Sequence, residues 1–153
     1  MSTISIKISG IEGTLSALNG FNKDLEDMSI PLSSSSKQYL DVISMNFMDD
    51  GKTFGKGWVP LSERTIKEKK ELGAPEKMLY RTGAMKKGFN YDLSGKNMSN
   101  IFNVMDYSIL HQEGRGKHPP QRILADVDDK RINMVGTVFT AWIDGLLKKY
   151  NLS

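Results

Sequence analysis

The chain has 153 residues, 39% of them hydrophobic and 25% charged, which predicts one globular domain over residues 1–153 rather than a disordered chain. The sequence contains no cysteine, which excludes disulfides and thiolate metal sites and is compatible with a reducing cytoplasm. No stretch approaches the roughly 18 apolar residues of a membrane span, and residues 1–10 lack the apolar run of a signal peptide. We therefore expect no membrane partner.

Charge is unevenly distributed along the chain. The net charge of +3 divides into −4 over residues 1–51, +6 over residues 52–88 and +1 over residues 89–153. The basic middle segment favours contact with nucleic acid or an acidic protein surface, or else it is a solvated helix face. Aromatic and basic residues do not interleave there as in a stacking platform, and no recognition helix is evident.

The first two predicted elements are a strand and a helix. Residues 3–8 alternate strictly between polar and apolar side chains, which predicts a half-buried strand. From Ile11 to Met28 the apolar residues are spaced by three, four or seven, which predicts an amphipathic helix. Gly20 weakens this helix and permits a bend.

A second helix is predicted over residues 32–49. Pro31 separates it from the first helix, the serines at 33–36 are N-cap candidates, and Asp50-Gly51 ends it. The glycine-rich sequence that follows predicts a loop over residues 50–58. Its glycine spacing does not match that of a phosphate-binding P-loop.

Two further helices and a hairpin are predicted in the middle of the chain. Ser62 is a suitable N-cap for a helix that runs to Leu72, with Gly73 at its C′ position. The pair Thr82-Gly83 caps a short helical turn. Two strands, over residues 88–94 and 98–105, are joined by a hairpin turn.

The C-terminal third is predicted to be mainly helical. Asp106 caps a short helix over residues 107–113, and an exposed basic loop follows over residues 114–121. Residues 121–125 are a candidate short strand, and Asp126 caps a long helix over residues 127–150. The apolar positions of that helix are Ile132, Val135, Phe139, Trp142, Ile143, Leu146, Leu147 and Tyr150. These elements predict an α+β fold, with a small antiparallel sheet packed by two or three helices and a long C-terminal helix.

Reactive side chains do not converge in the sequence. His111 and Glu113 are the pair that a small hydrolase would use, but on a helix they point about 200° apart. We interpret His111 as a partly buried structural residue. The acidic pairs at 49–50 and 128–129 flank helix ends, where capping explains them. We therefore predict no catalytic residue, no cofactor and no metal ion, and keep hydrolysis as a third hypothesis.

Four short segments stand out in order along the chain. They are Trp58-x-Pro60-Leu61-Ser62 with Thr65, Leu79-Tyr80-x-Thr82-Gly83-x-Met85, Tyr107-x-x-x-His111-Gln112-x-Gly114, and Pro119-Pro120-x-Arg122. In this order and spacing they resemble the virion morphogenesis, or tail-completion, proteins of tailed bacteriophages, the family of the phage Mu G protein and the phage P2 tail-completion protein. Glu113 and the basic insert at 114–118 depart from the family pattern, which places the contacts of that loop in question.

The resemblance implies a non-enzymatic structural protein. Its subunits are expected to form a homo-oligomeric ring in the phage neck, where the ring caps the finished tail and joins it to the head. The symmetry stays open between six and twelve subunits, with a hexamer favoured. The implied partners are the other copies, the tail tube or tail terminator, the head-completion or connector proteins, and double-stranded DNA passing through the lumen. The implied location is the virion, and the host cytoplasm during assembly.

The resemblance also singles out residues, and the alternative function uses an overlapping set. Candidate interface or motif residues are Trp58, Pro60, Leu61, Tyr80, Thr82, Gly83, Tyr107, His111, Gly114 and Arg122. Candidate lumen residues are Arg81, Lys86, Lys87, Arg115 and Lys117. Two interpretations of Trp58 stay open: its indole side chain either packs inside its own subunit or anchors a neighbouring subunit. The alternative function is a basic DNA-binding accessory protein.

Overall fold

The computed structural model describes residues 10–115 and 121–152, and these residues have the predicted α+β fold. The described residues form six α-helices and a two-stranded sheet. The predicted strand over residues 3–8 and Lys117 lie outside the described residues. The elements are α1 (Ile11–Leu25), α2 (Ser29–Met48), α3 (Glu63–Glu71), α4 (Ala84–Lys87), β1 (Phe89–Ser94), β2 (Met98–Asn103), α5 (Ser108–Glu113) and α6 (Asp129–Lys149).

Helix α2 begins earlier than its sequence predicts. Its first residue is Ser29, because Pro31 falls in the first helical turn, where a proline has no intrahelical hydrogen bond to lose. The predicted N-caps at 33–36 are therefore wrong, and these serines lie inside the helix. Two of their hydroxyls bind the sheet instead: Ser33 Oγ lies 2.8 Å from the Tyr91 hydroxyl, and Ser36 Oγ lies 2.6 Å from Ser99 Oγ.

The predicted hairpin is confirmed. Strands β1 and β2 pair antiparallel from Phe89 opposite Asn103 to Ser94 opposite Met98, so β2 ends two residues earlier than predicted. Phe89 and Ile101 pack one face of the hairpin against the core.

The hydrophobic core is built around α2. Ile43 and Phe47 are almost fully buried. The Phe47 ring meets the rings of Trp58 and Phe89 edge to face, with centroids 5.3 and 6.0 Å away. Helix α2 therefore packs against both the hairpin and the residues that follow α5, among them Leu124. The other buried apolar residues of this cluster are Tyr39, Phe54, Met78, Met85 and Leu124.

Residues 121–126 form an irregular segment that bends at residues 124–125, and we call it the strap. The predicted short strand at 121–125 is wrong, because within the described part of the chain these residues pair with no other strand. Side chains take the place of a neighbouring strand. Asn46 Nδ2 donates to the Ile123 carbonyl at 2.9 Å, and Trp58 Nε1 donates to the same oxygen at 3.0 Å. The Tyr39 hydroxyl donates to the Asp126 carbonyl at 2.7 Å.

Two predicted helix caps are wrong, and one is confirmed. Asp128, rather than Asp126, caps α6, and its Oδ1 accepts from the Arg131 backbone N–H at 2.9 Å. Tyr107, rather than Asp106, occupies the N-cap position of α5. Ser62 caps α3 as predicted, since its Oγ accepts from the Thr65 N–H at 3.3 Å.

Helices α1 and α6 meet near the C-terminus. The Tyr150 hydroxyl and Lys149 Nζ donate to Asp24 Oδ2 at 2.8 and 2.6 Å, and the Tyr150 ring meets Phe21 edge to face. Helix α1 runs unbroken through Gly20, where a Cβ would lie 2.5 Å from the Tyr150 ring. The glycine that weakens the helix in the sequence thus makes room for a tyrosine.

Candidate functional site

The four segments singled out in the sequence converge on one groove. Its volume is about 740 Å³, within the range usual for ligand-binding clefts. The walls are mainly apolar. The lining includes Pro60, Leu61, Tyr80, Thr82, Tyr107, His111 and Arg122 among the predicted motif residues, and Lys69 and Arg81 from the basic segment.

Trp58 lies behind the groove rather than in its lining. It is buried, and its ring packs so closely on Gly51 that a Cβ there would lie 2.3 Å from the indole. Gly51 has a φ of 88°, so its position needs glycine for two reasons. Of the two interpretations of Trp58, the structure supports packing inside its own subunit, which positions Pro60 and Leu61 at the groove.

The second wall is formed by residues 79–82 and fixed by a lysine. Lys69 Nζ donates to the carbonyls of Pro75 and Tyr80 at 3.1 and 3.3 Å, and also to the Lys77 carbonyl. Burial lowers the pKa of Lys69. Gly83 occupies the N-cap position of α4 with a φ of 75°, and the Thr82 Oγ1 accepts from the Ala84 N–H. The three carbonyls hold the Lys69 ammonium in place, so that it is a fixed positive charge beside Tyr80.

The third wall is α5 with the beginning of the strap. Gly114 ends α5 with a φ of 66°, and a Cβ there would lie 2.9 Å from the Gln121 backbone nitrogen. This close approach lets the Arg122 N–H donate to the His111 carbonyl at 2.7 Å. Glycine at position 114 therefore brings the arginine beside the histidine, although eleven positions separate Arg122 from His111 in the sequence.

Gln112 is a structural residue that sequence reasoning missed. Its Oε1 accepts from the backbone N–H groups of Leu124 and Ala125 at 2.7 and 3.2 Å, and its Nε2 donates to the Ala125 carbonyl at 2.8 Å. The amide side chain thus satisfies the strap as a β-strand neighbour does. The position of Gln112 in the third segment marks it as a residue of interest, but no local sequence pattern indicates which groups it bonds.

Arg122 is a buried cation in the lining of the groove. Only 6% of its surface is exposed. Its buried Nε has no hydrogen-bond partner, and no ion pair among the described residues includes it. Burial lowers its pKa. The groove lining, as far as the structure describes it, contains no Asp or Glu. The groove therefore presents a buried cation without an anion.

The predicted lumen residues do not form one described cluster. Arg81 is exposed on the groove, whereas Lys86 and Lys87 occupy α4. Arg115 Nε pairs with Glu113 Oε2 at 2.5 Å. Part of the +6 segment is also neutralised locally, since Arg64 pairs with Glu68 and Lys70 with Glu76.

The structure separates the two residues of the hydrolase hypothesis. His111 lines the groove, whereas Glu113 is exposed, pairs with Arg115 and does not line it. Over residues 10–115 and 121–152, no three His, Asp or Glu side chains gather as metal ligands. None of the described helices has the length and apolarity to span a bilayer.

Comparisons of the chain with protein-family models, with curated proteins and with solved structures gave no match. The resemblance to phage tail-completion proteins therefore stays a prediction. The structural features that bear on function are the groove and the apolar surfaces of the helices.

Proposed function

We propose that this chain is a non-enzymatic, ring-forming subunit of a tailed-phage virion, acting at the head–tail junction to complete the tail and join it to the head. In this proposal it assembles in the host cytoplasm and remains in the neck of the virion. The observation that supports it best is the partly uncovered apolar face of α6. The ordered set of four sequence segments supplies the phage assignment.

Helix α6 has a wider apolar face than its own subunit covers. Of its eight predicted apolar positions, all of which are described, Leu146 alone is buried. Ile132 and Ile143 are 56% and 37% exposed, and Phe139 between them is half-buried. Positions 132, 139 and 143 follow one another at helical spacing, so they form one row along the helix.

Helix α1, which contacts α6, repeats this pattern. Each of its residues keeps part of its surface exposed, and Ile11, Leu15 and Leu18 are the most exposed of its apolar side chains. Single exposed apolar residues are normal on a monomer. Rows of them on two helices in contact favour a protein partner, and a second copy of the chain is the partner that a closed ring supplies.

The oligomeric state tests this part of the proposal. Light scattering of the purified chain is expected to give a closed oligomer, and negative-stain images are expected to show rings. Ile143→Glu is expected to give monomers, because it places a charge in the apolar row. Ala141→Glu is the matched control, since it adds the same charge to an exposed position on the opposite side of α6. A monomeric wild-type chain, even with tail tubes present, contradicts the ring.

A genetic experiment tests the phage assignment. Deletion of the gene is expected to leave filled heads and finished tails that do not join, and expression of the wild-type chain in trans is expected to restore joining. The Ile143→Glu variant should not restore it, whereas Ala141→Glu should. Infectious particles in normal yield from the deletion strain contradict the assignment.

The DNA-binding alternative has less support from the described residues. It depends on free cations in residues 52–88, yet Arg64, Lys69 and Lys70 are engaged within the chain. It predicts tight duplex binding with a steep salt dependence. Absence of binding at about 50 mM salt removes it.

A further inference from the structure

The groove around Arg122 has features that a structural role alone does not require. A buried guanidinium is costly unless anions or carbonyl oxygens satisfy it. Here the buried Nε of Arg122 has no hydrogen-bond partner, and no described ion pair includes the guanidinium. Residues 1–9 and 116–120 contain no Asp or Glu in their sequence. No acidic side chain of the same subunit is therefore positioned to neutralise Arg122.

The surrounding electrostatics favour an anion. The groove lining carries Arg122, Arg81 and the fixed ammonium of Lys69, and among its described residues no carboxylate opposes them. The rest of the lining is mainly apolar, so a bound anion meets a low local dielectric that strengthens its attraction to the arginine. A planar guanidinium also matches a carboxylate in a bidentate geometry.

We propose that the groove binds an acidic side chain, Asp or Glu, on an extended apolar segment of a partner protein, with Arg122 binding the carboxylate. Pro60, Leu61 and Tyr80 contact the apolar residues that flank it. The features that support this site all belong to the groove, so the site does not depend on whether the chain builds a phage ring.

The depth of Arg122 distinguishes a peptide from DNA. The phosphates of a duplex lie on the outside of a broad rod, and they are bound by exposed cations. Arg122 is only 6% exposed and lines a mainly apolar groove, so its guanidinium is better suited to a single side chain inserted into the groove. Binding of duplex DNA that requires Arg122 is therefore an outcome that overturns the proposal.

The test uses the full chain and two small probes, 4-phenylbutyrate and the neutral 4-phenylbutanamide. At a concentration about ten times its dissociation constant, the carboxylate is expected to raise the melting temperature by about 3 °C. The amide, with the same apolar body, is expected to bind at least tenfold more weakly. Equal shifts with the two probes, or no shift with the carboxylate, overturn the proposal.

Variants locate the site. Arg122→Met keeps the apolar stem but removes the charge, so the carboxylate-induced shift should disappear. Without probe, this variant is expected to melt about 2–4 °C higher than the wild type, since a buried unpaired charge has been removed. A structural arginine would do the opposite, because its loss would lower the melting temperature.

Two controls complete the design. Arg64→Met makes the same change at an exposed arginine outside the groove lining, and it should leave the probe response unchanged. Arg122→Lys keeps the charge without the planar fork, and it should retain a weaker, still carboxylate-selective response. A full response in Arg122→Met, or a shift with a duplex oligonucleotide that this variant abolishes, overturns the proposal.

Discussion

Arg131 and Arg122 are equally buried, each 6% exposed, but their surroundings differ. Arg131 Nη1 donates to Asp128 Oδ2 at 3.0 Å, and its Nη2 donates to the Thr53 carbonyl at 2.7 Å. Its guanidinium also lies 4.9 Å from the centroid of the Phe54 ring. Arg122, nine positions earlier, has no comparable acceptor among the described residues.

The difference indicates two uses of a buried charge. Around Arg131, Nη1 and Nη2 both find acceptors within the subunit, although its buried Nε, like that of Arg122, has none. The guanidinium thereby connects α6 to the 3-10 turn at residues 52–54 and stabilises the fold. Around Arg122 we expect the same group to lower the stability of the subunit and to leave bonding capacity for a partner. Burial alone therefore does not distinguish a structural arginine from a binding one, whereas the acceptors around the guanidinium do.

The largest effect is expected at the satisfied arginine. Arg131→Met removes the Asp128 ion pair and leaves the partly buried Thr53 carbonyl without its donor, so the free energy of unfolding should fall by about 3 kcal/mol. Urea denaturation measures this change. The surface variant Arg64→Met should stay within about 0.5 kcal/mol of the wild type. A stable Arg131→Met variant would remove the contrast between the two arginines.

An intermediate effect is expected where the strap meets α5. Gln112→Ala leaves the N–H groups of Leu124 and Ala125 without their acceptor, so the free energy of unfolding should fall by about 2 kcal/mol. Gln38→Ala, at an exposed position of α2, serves as the control and should change little. If the two variants are equally stable, the strap does not depend on this amide.

The smallest effect concerns Tyr39 and is pH-dependent. Burial raises the pKa of its phenol above the ordinary value of 10.0, so the folded state holds this proton more tightly than the unfolded state. The contribution of the Tyr39 phenol to the free energy of unfolding is therefore fully present below about pH 10, and it is lost as the pH rises through the folded-state pKa. Tyr39→Phe should lose about 1 kcal/mol at neutral pH, with the hydrogen bond to the Asp126 carbonyl.

Unfolding curves at increasing pH measure the second part of this prediction. Between pH 9 and pH 11 the wild type should lose stability faster than Tyr39→Phe, because the variant has no phenol to deprotonate. The control is Tyr107→Phe, at an exposed tyrosine, which should follow the wild type. Parallel curves for wild type and Tyr39→Phe would contradict a buried, protonated phenol.

Locally encoded elements could be predicted from the sequence. The Ser62 cap, the hairpin and the period of α6 each depend on residues a few positions apart. The sequence does not decide the cap of α6, because Asp126, Asp128 and Asp129 all have suitable chemistry. Asp126 Oδ1 instead accepts from the Val127 N–H, and the α6 cap falls to Asp128.

The candidate site was predicted in part. Its segments were identified by resemblance, and most of their residues do line one groove. Their convergence depends on Gly114 meeting Gln121 and on side chains of α2 holding the strap, which are tertiary contacts with no local pattern. The sequence also does not predict that Arg122 lacks a carboxylate partner, because this depends on where the fold places every Asp and Glu of the chain.

Because side chains of distant residues hold the strap, we expect the groove to be completed late in folding. The bonds from Tyr39, Asn46 and Trp58 span 65 to 87 positions, and contacts of such sequence separation form slowly. During translation, α2 and the hairpin can associate before residue 126 has been synthesised. We therefore expect nascent chains to acquire the Arg122 pocket last, which keeps incomplete subunits from engaging a partner.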